Sequence, residues 1–281
     1  MSTLITGALG FTGSHLVTCI AEKTLRVTRP LKDSGGIEDV IECDLLDSAK
    51  VNKLIEKHRP HRIYHLAGSF TQNYETDFVG NVRTTKNILS AVKEFSPTTR
   101  VLLVGSAAEY GVLTYSDCPV SEDTVTRPFN NYGLTKIYQK SLMDYYVNAF
   151  SLDIVMVRPF NLYGKGISPL LFIGKVYEQI AALKNCEITE ISLGNLDSQR
   201  DYICIEDAVK HYMTVMKKGS TGEVYNVATG EPTRTRDLLR NILVDEGFDL
   251  SVVKSNTRTA QANDSDMIFA DITKLKALYN D

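Results

Sequence analysis

The stretch Thr3-Leu4-Ile5-Thr6-Gly7-Ala8-Leu9-Gly10-Phe11-Thr12-Gly13 decides the fold. Thr3–Thr6 reads as a short buried strand. The glycines follow at once, and Phe11, Leu16, Val17 and Ile20 then keep the spacing of a helix. Strand, glycine-rich turn and helix, in that order, are the context of a dinucleotide fingerprint. Gly7 permits the tight turn, Gly10 lets the backbone approach a pyrophosphate, and Gly13 allows close packing of helix on strand. The helix start, at Phe11 and Thr12, offers free N–H groups and a favourable dipole to phosphates.

Working outward, apolar strands alternate with helical patterns. Leu25–Thr28, Val40–Leu45, Ile63–Leu66, Val101–Val104 and Ile154–Val157 read as strands, and a long helix is expected from about Thr76 to Val92. Val101-Leu102-Leu103-Val104 is continuously apolar, as a strand covered on both faces would be. The alternation argues for an α/β fold: a Rossmann-type, doubly wound parallel sheet with a smaller C-terminal substrate-binding lobe. We expect a dinucleotide-binding domain over 1–160 and a substrate lobe over 161–281, with about 200–218 returning to the first domain. Ligands of such sheets bind beyond the carboxyl ends of the strands.

The chemistry centres on Asn131-Tyr132-Gly133-Leu134-Thr135-Lys136, which opens an amphipathic helix with apolar positions Leu134, Ile137, Tyr138, Leu142, Tyr145 and Tyr146. Residues four apart share a helix face, so Tyr132 and Lys136 are neighbours. An ammonium beside a phenol favours the phenolate and brings its pKa toward the working range. Ser106, at the end of the fifth strand, is placed to donate a hydrogen bond to a substrate oxygen shared with Tyr132. A serine after a strand and a Tyr-x-x-x-Lys are each commonplace; together with Gly7, Gly10 and Gly13 they are specific.

The turn spacing is G-x-x-G-x-x-G, and here the chain resembles the extended short-chain dehydrogenase/reductase family, in its nucleotide-sugar branch. The resemblance covers nearly the whole chain. It implies Ser106, Tyr132 and Lys136 as catalytic residues, with Tyr132 and Lys136 also on the cofactor, Lys136 holding its ribose. Asp44-Leu45 would bracket the adenine, and Leu66-Ala67-Gly68 resembles the family's Leu-Ala-Ala, with Gly68 a departure. Where NAD-preferring folds place an acid after the second strand, this chain has Thr28 and Arg29, and an arginine there can pair with the 2′-phosphate of NADP. NADPH is therefore the expected cofactor and NAD the alternative.

The resemblance also sorts the branch. Relatives that remove water across C5 and C6 place an acidic pair directly after the serine or threonine; here stand Ala107 and Ala108, with Glu109 one place later. The implied reaction is NADPH-dependent reduction of the C4 ketone of a GDP-linked 4-keto-6-deoxy sugar, of mannose or heptose type, in a cell-surface polysaccharide route. The runner-up is an NAD-dependent nucleotide-sugar 4-epimerase, and a third reading is a non-catalytic NADP sensor, which would tend to lose the tyrosine. Ser106, Ala107 and Glu109 are expected on the sugar, Asn161 of Arg158–Gly164 on the diphosphate, and Asn195 and Arg200 on the nucleotide end. Gly-Asn-Leu-x-x-x-Arg-Asp is similar to what GDP-sugar enzymes carry. Where related reductases have an Arg-Pro pair, this chain has Gln261-Ala262, with Arg258 three residues earlier.

A net charge of −3 over 281 residues offers no nucleic-acid or membrane surface. Five scattered cysteines and five histidines show no ligand spacing, so no metal and no disulfide framework is expected. A strand beginning at Ser2 or Thr3, with no leader before it and no long apolar run, fits a cytoplasmic protein. By resemblance, a homodimer would form through the helix after Thr76 and the Tyr132 helix.

Overall fold

The structure, a computed structural model, describes residues 2–30, 39–255 and 267–280. Its centre is a seven-stranded sheet, parallel throughout. The strands are β1 (Thr3–Thr6), β2 (Thr24–Thr28), β3 (Val40–Glu42), β4 (Arg62–His65), β5 (Arg100–Val104), β6 (Ile154–Pro159) and the strand Val224–Val227. From one edge they run Val224–Val227, β6, β5, β4, β1, β2, β3. The chain thus winds one way from β1 through β2 to β3 and the other way from β4 outward. The direction reverses beside β1, the place where such sheets open a crevice for ligands.

Period-two alternation explains the unbroken apolar runs. Val101 and Leu103 of β5 and Ile154 and Met156 of β6 pack into one core layer. Leu102, Val155 and Val157 point to the opposite layer. The first layer is closed by α2 (Ser48–His58), α4 (Thr84–Phe95) and α5 (Asn131–Phe150), the second by α1 (Phe11–Cys19) and α7 (Ile205–Lys218). A third apolar cluster is built on α6 (Phe172–Lys184) and α8 (Thr235–Asp245). The returning part of the chain reaches beyond 200–218. Val224–Val227 is a sheet strand beside β6, and α9 (Thr273–Asn280) contributes Leu275 and Leu278 to the α1–α7 layer.

Two helices differ from the sequence reading. The run expected from Thr76 begins as α3 at Tyr74, because Asn73 accepts from Thr76 N–H at 3.0 Å and caps it. It then widens into a π-helical turn over Val79–Arg83 before continuing as α4 to Phe95. A pattern read at 3.6 residues per turn has no way to register that turn. In α5 the buried residues are Gly133, Thr135, Lys136, Gln139, Met143 and Tyr146. Apart from Tyr146, the apolar stripe named above is only half-buried or, at Tyr145, exposed. The core side of this helix is largely polar, and its hydrogen bonds make that tolerable.

Among the described residues no helix is long and apolar enough to cross a membrane.

Candidate active site

The glycine turn is shaped as its residues dictate. Gly7 takes φ +67°, a left-handed conformation costly for other residues. A Cβ on Gly13 would collide with Gly7 O and come within 2.8 Å of Ala8 Cα, so only glycine lets α1 start this close to β1. Gly10 precedes Phe11 without any side-chain cap, which leaves the first N–H groups of α1 open. This cradle fits the diphosphate of a dinucleotide. Leu66-Ala67-Gly68 lies beside it: Gly7 Cα carries its hydrogens against Ala67 N, where a Cβ would come to 2.9 Å. Gly68 itself is explained by Asn81, whose Oδ1 a Cβ would meet at 2.7 Å. Arg29 stands exposed just beyond β2. Past β3, Leu45 is buried, and Asp44 accepts from Leu46 N–H at 3.0 Å.

Ser106 follows β5 and opens a short 3₁₀ turn; its Oγ accepts from Ala108 N–H at 3.1 Å. The Tyr132 phenol comes close enough to the Ser106 side chain for the serine to pull its pKa down. Lys136, one turn along α5, puts Nζ 5.6 Å from the Tyr132 ring centroid. It donates to Val104 O at 2.8 Å and to Gln139 Oε1 at 3.2 Å. Three residues named from sequence therefore converge at the carboxyl end of β5.

The electrostatics correct one expectation. Burial pushes the Tyr132 phenol up to about 12, outweighing the opposing influence of the Ser106 side chain. Burial also brings Lys136 down to about 8, against the opposing pull of Glu109 and Asp77. The ammonium's hydrogen bonds run to Val104 and Gln139 and not to the phenol, and in this structure burial outweighs any pull toward neutrality. Tyr132 is held as a protonated donor.

The supporting side chains escaped the sequence reading. Glu109, expected on the substrate, is fully buried: Oε1 accepts from Ser106 N–H at 2.8 Å and Oε2 from Arg158 Nε at 2.8 Å. Its carboxylate anchors the serine turn and is not presented to a ligand. Arg158 also donates to Tyr110 Oη at 3.2 Å, and Tyr110 donates to Asn226 Oδ1 at 2.7 Å. Asp77, buried in α3, accepts from Ser69 Oγ, from Thr71 N–H and Oγ1, and from Gln72 N–H. Those bonds hold the loop after β4, whose Phe70 ring meets Tyr132 edge-on at 4.9 Å. An acidic residue on the apolar face of a predicted helix was the available signal.

The remaining expected residues lie on the lobe side. Ala107 is half-buried beside Ser106. Asn161 is exposed and donates from Nδ2 to Asp201 O at 3.0 Å. Asn195 accepts from Asp197 N–H at 2.9 Å in a local turn, and Arg200 donates to Gln199 O at 2.9 Å. Asp201, passed over in favour of its neighbour, is fully buried and accepts from Thr229 N–H and Oγ1, Gly230 N–H and Ala270 N–H. Arg258, Gln261 and Ala262 lie outside the described residues.

Comparison with known proteins bears on the family and the fold. The family model described as NAD dependent epimerase/dehydratase matches residues 3–228. GDP-6-deoxy-D-mannose reductase of Pseudomonas aeruginosa is 26% identical, over 92% of this chain and 84% of its own. GDP-6-deoxy-D-talose 4-dehydrogenase of Aggregatibacter actinomycetemcomitans is 28% identical, over 98% and 90%. The solved structure of RMD from Pseudomonas aeruginosa complexed with NADPH superposes with a TM-score of 0.84 at 24% identity, covering 99% of this chain and 92% of that one, a likeness of fold.

Proposed function

This chain belongs to the NAD dependent epimerase/dehydratase family, an NAD(P)-dependent oxidoreductase by that membership, and from this premise we propose that it reduces the C4 ketone of a GDP-linked 4-keto-6-deoxy sugar with NADPH. The observation that carries the reading is the convergence of Ser106, Tyr132 and Lys136 beside the glycine turn. The two GDP-sugar relatives point to the nucleotide. Ala107 and Ala108, where dehydratases carry acids, point away from elimination.

The nicotinamide supplies the hydride. Tyr132, protonated near neutrality, donates its proton to the oxygen that becomes an alkoxide. Ser106 Oγ hydrogen-bonds the same oxygen and polarises the carbonyl. Lys136, with two protons anchored, has a third for a ribose hydroxyl and contributes positive charge to the site. The open N–H groups at the start of α1 take the diphosphate, and Arg29 takes a 2′-phosphate. Phe70 walls the site beside Tyr132.

A homodimer is part of the reading. Tyr74, Tyr145 and Phe150 expose 37%, 56% and 40% of their surface on the outer side of α3 and α5, an aromatic face suited to a second copy. The five cysteines are all free thiols, which suits the cytoplasm.

The test is nicotinamide absorbance with NADPH, enzyme and freshly made GDP-4-keto-6-deoxy-mannose. NADPH consumption matching the sugar added is the expected result. No consumption, with a changed sugar NMR spectrum, would mean a 4-epimerase using the same three residues.

A further inference from the structure

A buried chain of hydrogen bonds leads away from Lys136 and takes no part in the steps above. Lys136 donates to Gln139 Oε1 at 3.2 Å, and Gln139 Nε2 donates to Thr85 Oγ1 at 2.9 Å. His65 Nε2 lies 3.0 Å from that same Oγ1, and His65 Nδ1 lies 2.8 Å from Thr6 Oγ1. Thr6 Oγ1 accepts from Ala67 N–H at 3.2 Å, beside the glycine turn. Gln139, Thr85 and Thr6 have no solvent exposure and His65 has 1%. Four separate elements, α5, α4, β4 and β1, supply the links.

The protons in this chain can be counted. A threonine hydroxyl has one donor and two acceptor positions. Thr85 gives its proton to Asn81 O at 2.6 Å. Both its lone pairs are then acceptors, one for Gln139 Nε2–H and one for His65 Nε2–H. His65 is therefore neutral with its proton on Nε2, and Nδ1 accepts the Thr6 proton. The other tautomer would set a nitrogen lone pair against an oxygen with no proton left to give. Burial favours the neutral ring as well, pushing its pKa down to about 3.

The same count orients the glutamine. Facing a Thr85 oxygen that only accepts, the amide must turn its NH₂ that way and its carbonyl oxygen toward Lys136. A flipped amide would aim N–H groups at an ammonium. We infer that Gln139 is a positioning residue for Lys136, and that Thr85 and the Nε2–H tautomer of His65 lock its amide with the carbonyl turned to the ammonium. The inference rests on Lys136 being the site lysine. The groups that bear on its charge are the carboxylates of Glu109 and Asp77, with neutral His65 and the phenol of Tyr132 nearby.

NADPH affinity, read by nucleotide fluorescence on the purified protein without sugar, tests this across pH. Gln139→Leu removes the acceptor, so the alkaline midpoint at which affinity is lost moves down by about one pH unit. Gln139→Glu adds a charge that holds the proton, and its midpoint moves up. Thr85→Val frees the amide to turn and moves the midpoint down. In the wild type, the ¹⁵N shifts of His65 show a protonated Nε2 and a bare Nδ1 from about pH 5 to 9; in Thr85→Val that preference is lost. A purely structural role would weaken the variants equally at every pH. Unmoved midpoints in folded Leu and Glu variants, or an Nδ1–H tautomer in the wild type, would overturn the inference. If Gln139→Leu does not fold, Thr85→Val and the wild-type tautomer decide it. Unchanged affinity in Lys136→Met would instead overturn the reading of the site itself.

Discussion

Lys136 Nζ sits 5.6 Å from the centre of the Tyr132 ring, and its hydrogen bonds run inward to Val104 O and Gln139 Oε1. The ammonium is thus fastened to the sheet and to its own helix, beside the phenol whose proton the proposed reaction needs. The two residues share a helix face without sharing a hydrogen bond.

Tyr132→Phe keeps the ring against Phe70 and removes only the proton donor. Turnover is expected to fall by roughly 10²–10⁴-fold, the usual weight of general acid catalysis. Steady-state NADPH oxidation measures it, and near-normal turnover would sink the mechanism.

Lys136 carries its charge below about pH 8 and loses it above. A folded pKa depressed from the ordinary lysine value means that cofactor affinity is full at lower pH and declines as pH rises through about 8. A titration of NADPH affinity against pH reads the midpoint directly. A flat profile up to the ordinary lysine range would contradict the burial described.

Glu109→Ala strands the Arg158 guanidinium without its carboxylate in the core. A cost of about 3–5 kcal/mol is expected, the size typical of breaking a buried pair from one side. Urea unfolding supplies the number. The paired change Glu109→Gln with Arg158→Met should cost clearly less, because no uncompensated charge remains.

Gly13→Ala forces a methyl group against Gly7 O. Overpacking of this kind costs roughly 1–3 kcal/mol, and here it also spreads the phosphate cradle. Both a lower unfolding midpoint and weaker NADPH binding are expected. Unchanged binding in a folded variant would show that the turn is not the phosphate site.

Tyr145→Glu places a charge on the exposed aromatic face of α5. Light scattering should report a shift from dimer to monomer. A dimer of unaltered stability would move the interface elsewhere.

The sheet was legible because its two faces are both apolar and its strands alternate with helices, signals that survive in one dimension. The tight turn at Gly7 and Gly13 and the convergence of Ser106, Tyr132 and Lys136 were legible because both rest on local spacing, of glycines after a strand and of residues four apart on a helix. The buried side of α5 was not, since Thr135, Lys136 and Gln139 look like a solvated face until Thr85 and Asn81 are brought against them by folding. Glu109 misled for a related reason: its partner Arg158 lies 49 residues away in the chain, and only the pairing of β5 with β6 makes them neighbours. Asp77 and Asp201 hide in the same way, each holding a loop through backbone N–H groups that no side-chain pattern reveals.

The π-helical turn at Val79–Arg83 accommodates about one residue more than an ordinary helical turn would hold. Each residue of an ordinary helix turns by about 100°, so a residue taken out of this turn would let it relax to that winding with the helices on either side kept nearly in phase. A residue gained or lost in the regular helix beside it would instead rotate one part against the other, swinging Asp77 off the loop it holds and drawing Phe70 away from Tyr132. The widened turn is where this stretch can absorb a change in length; in the even winding around it the same change becomes a frame error for the site.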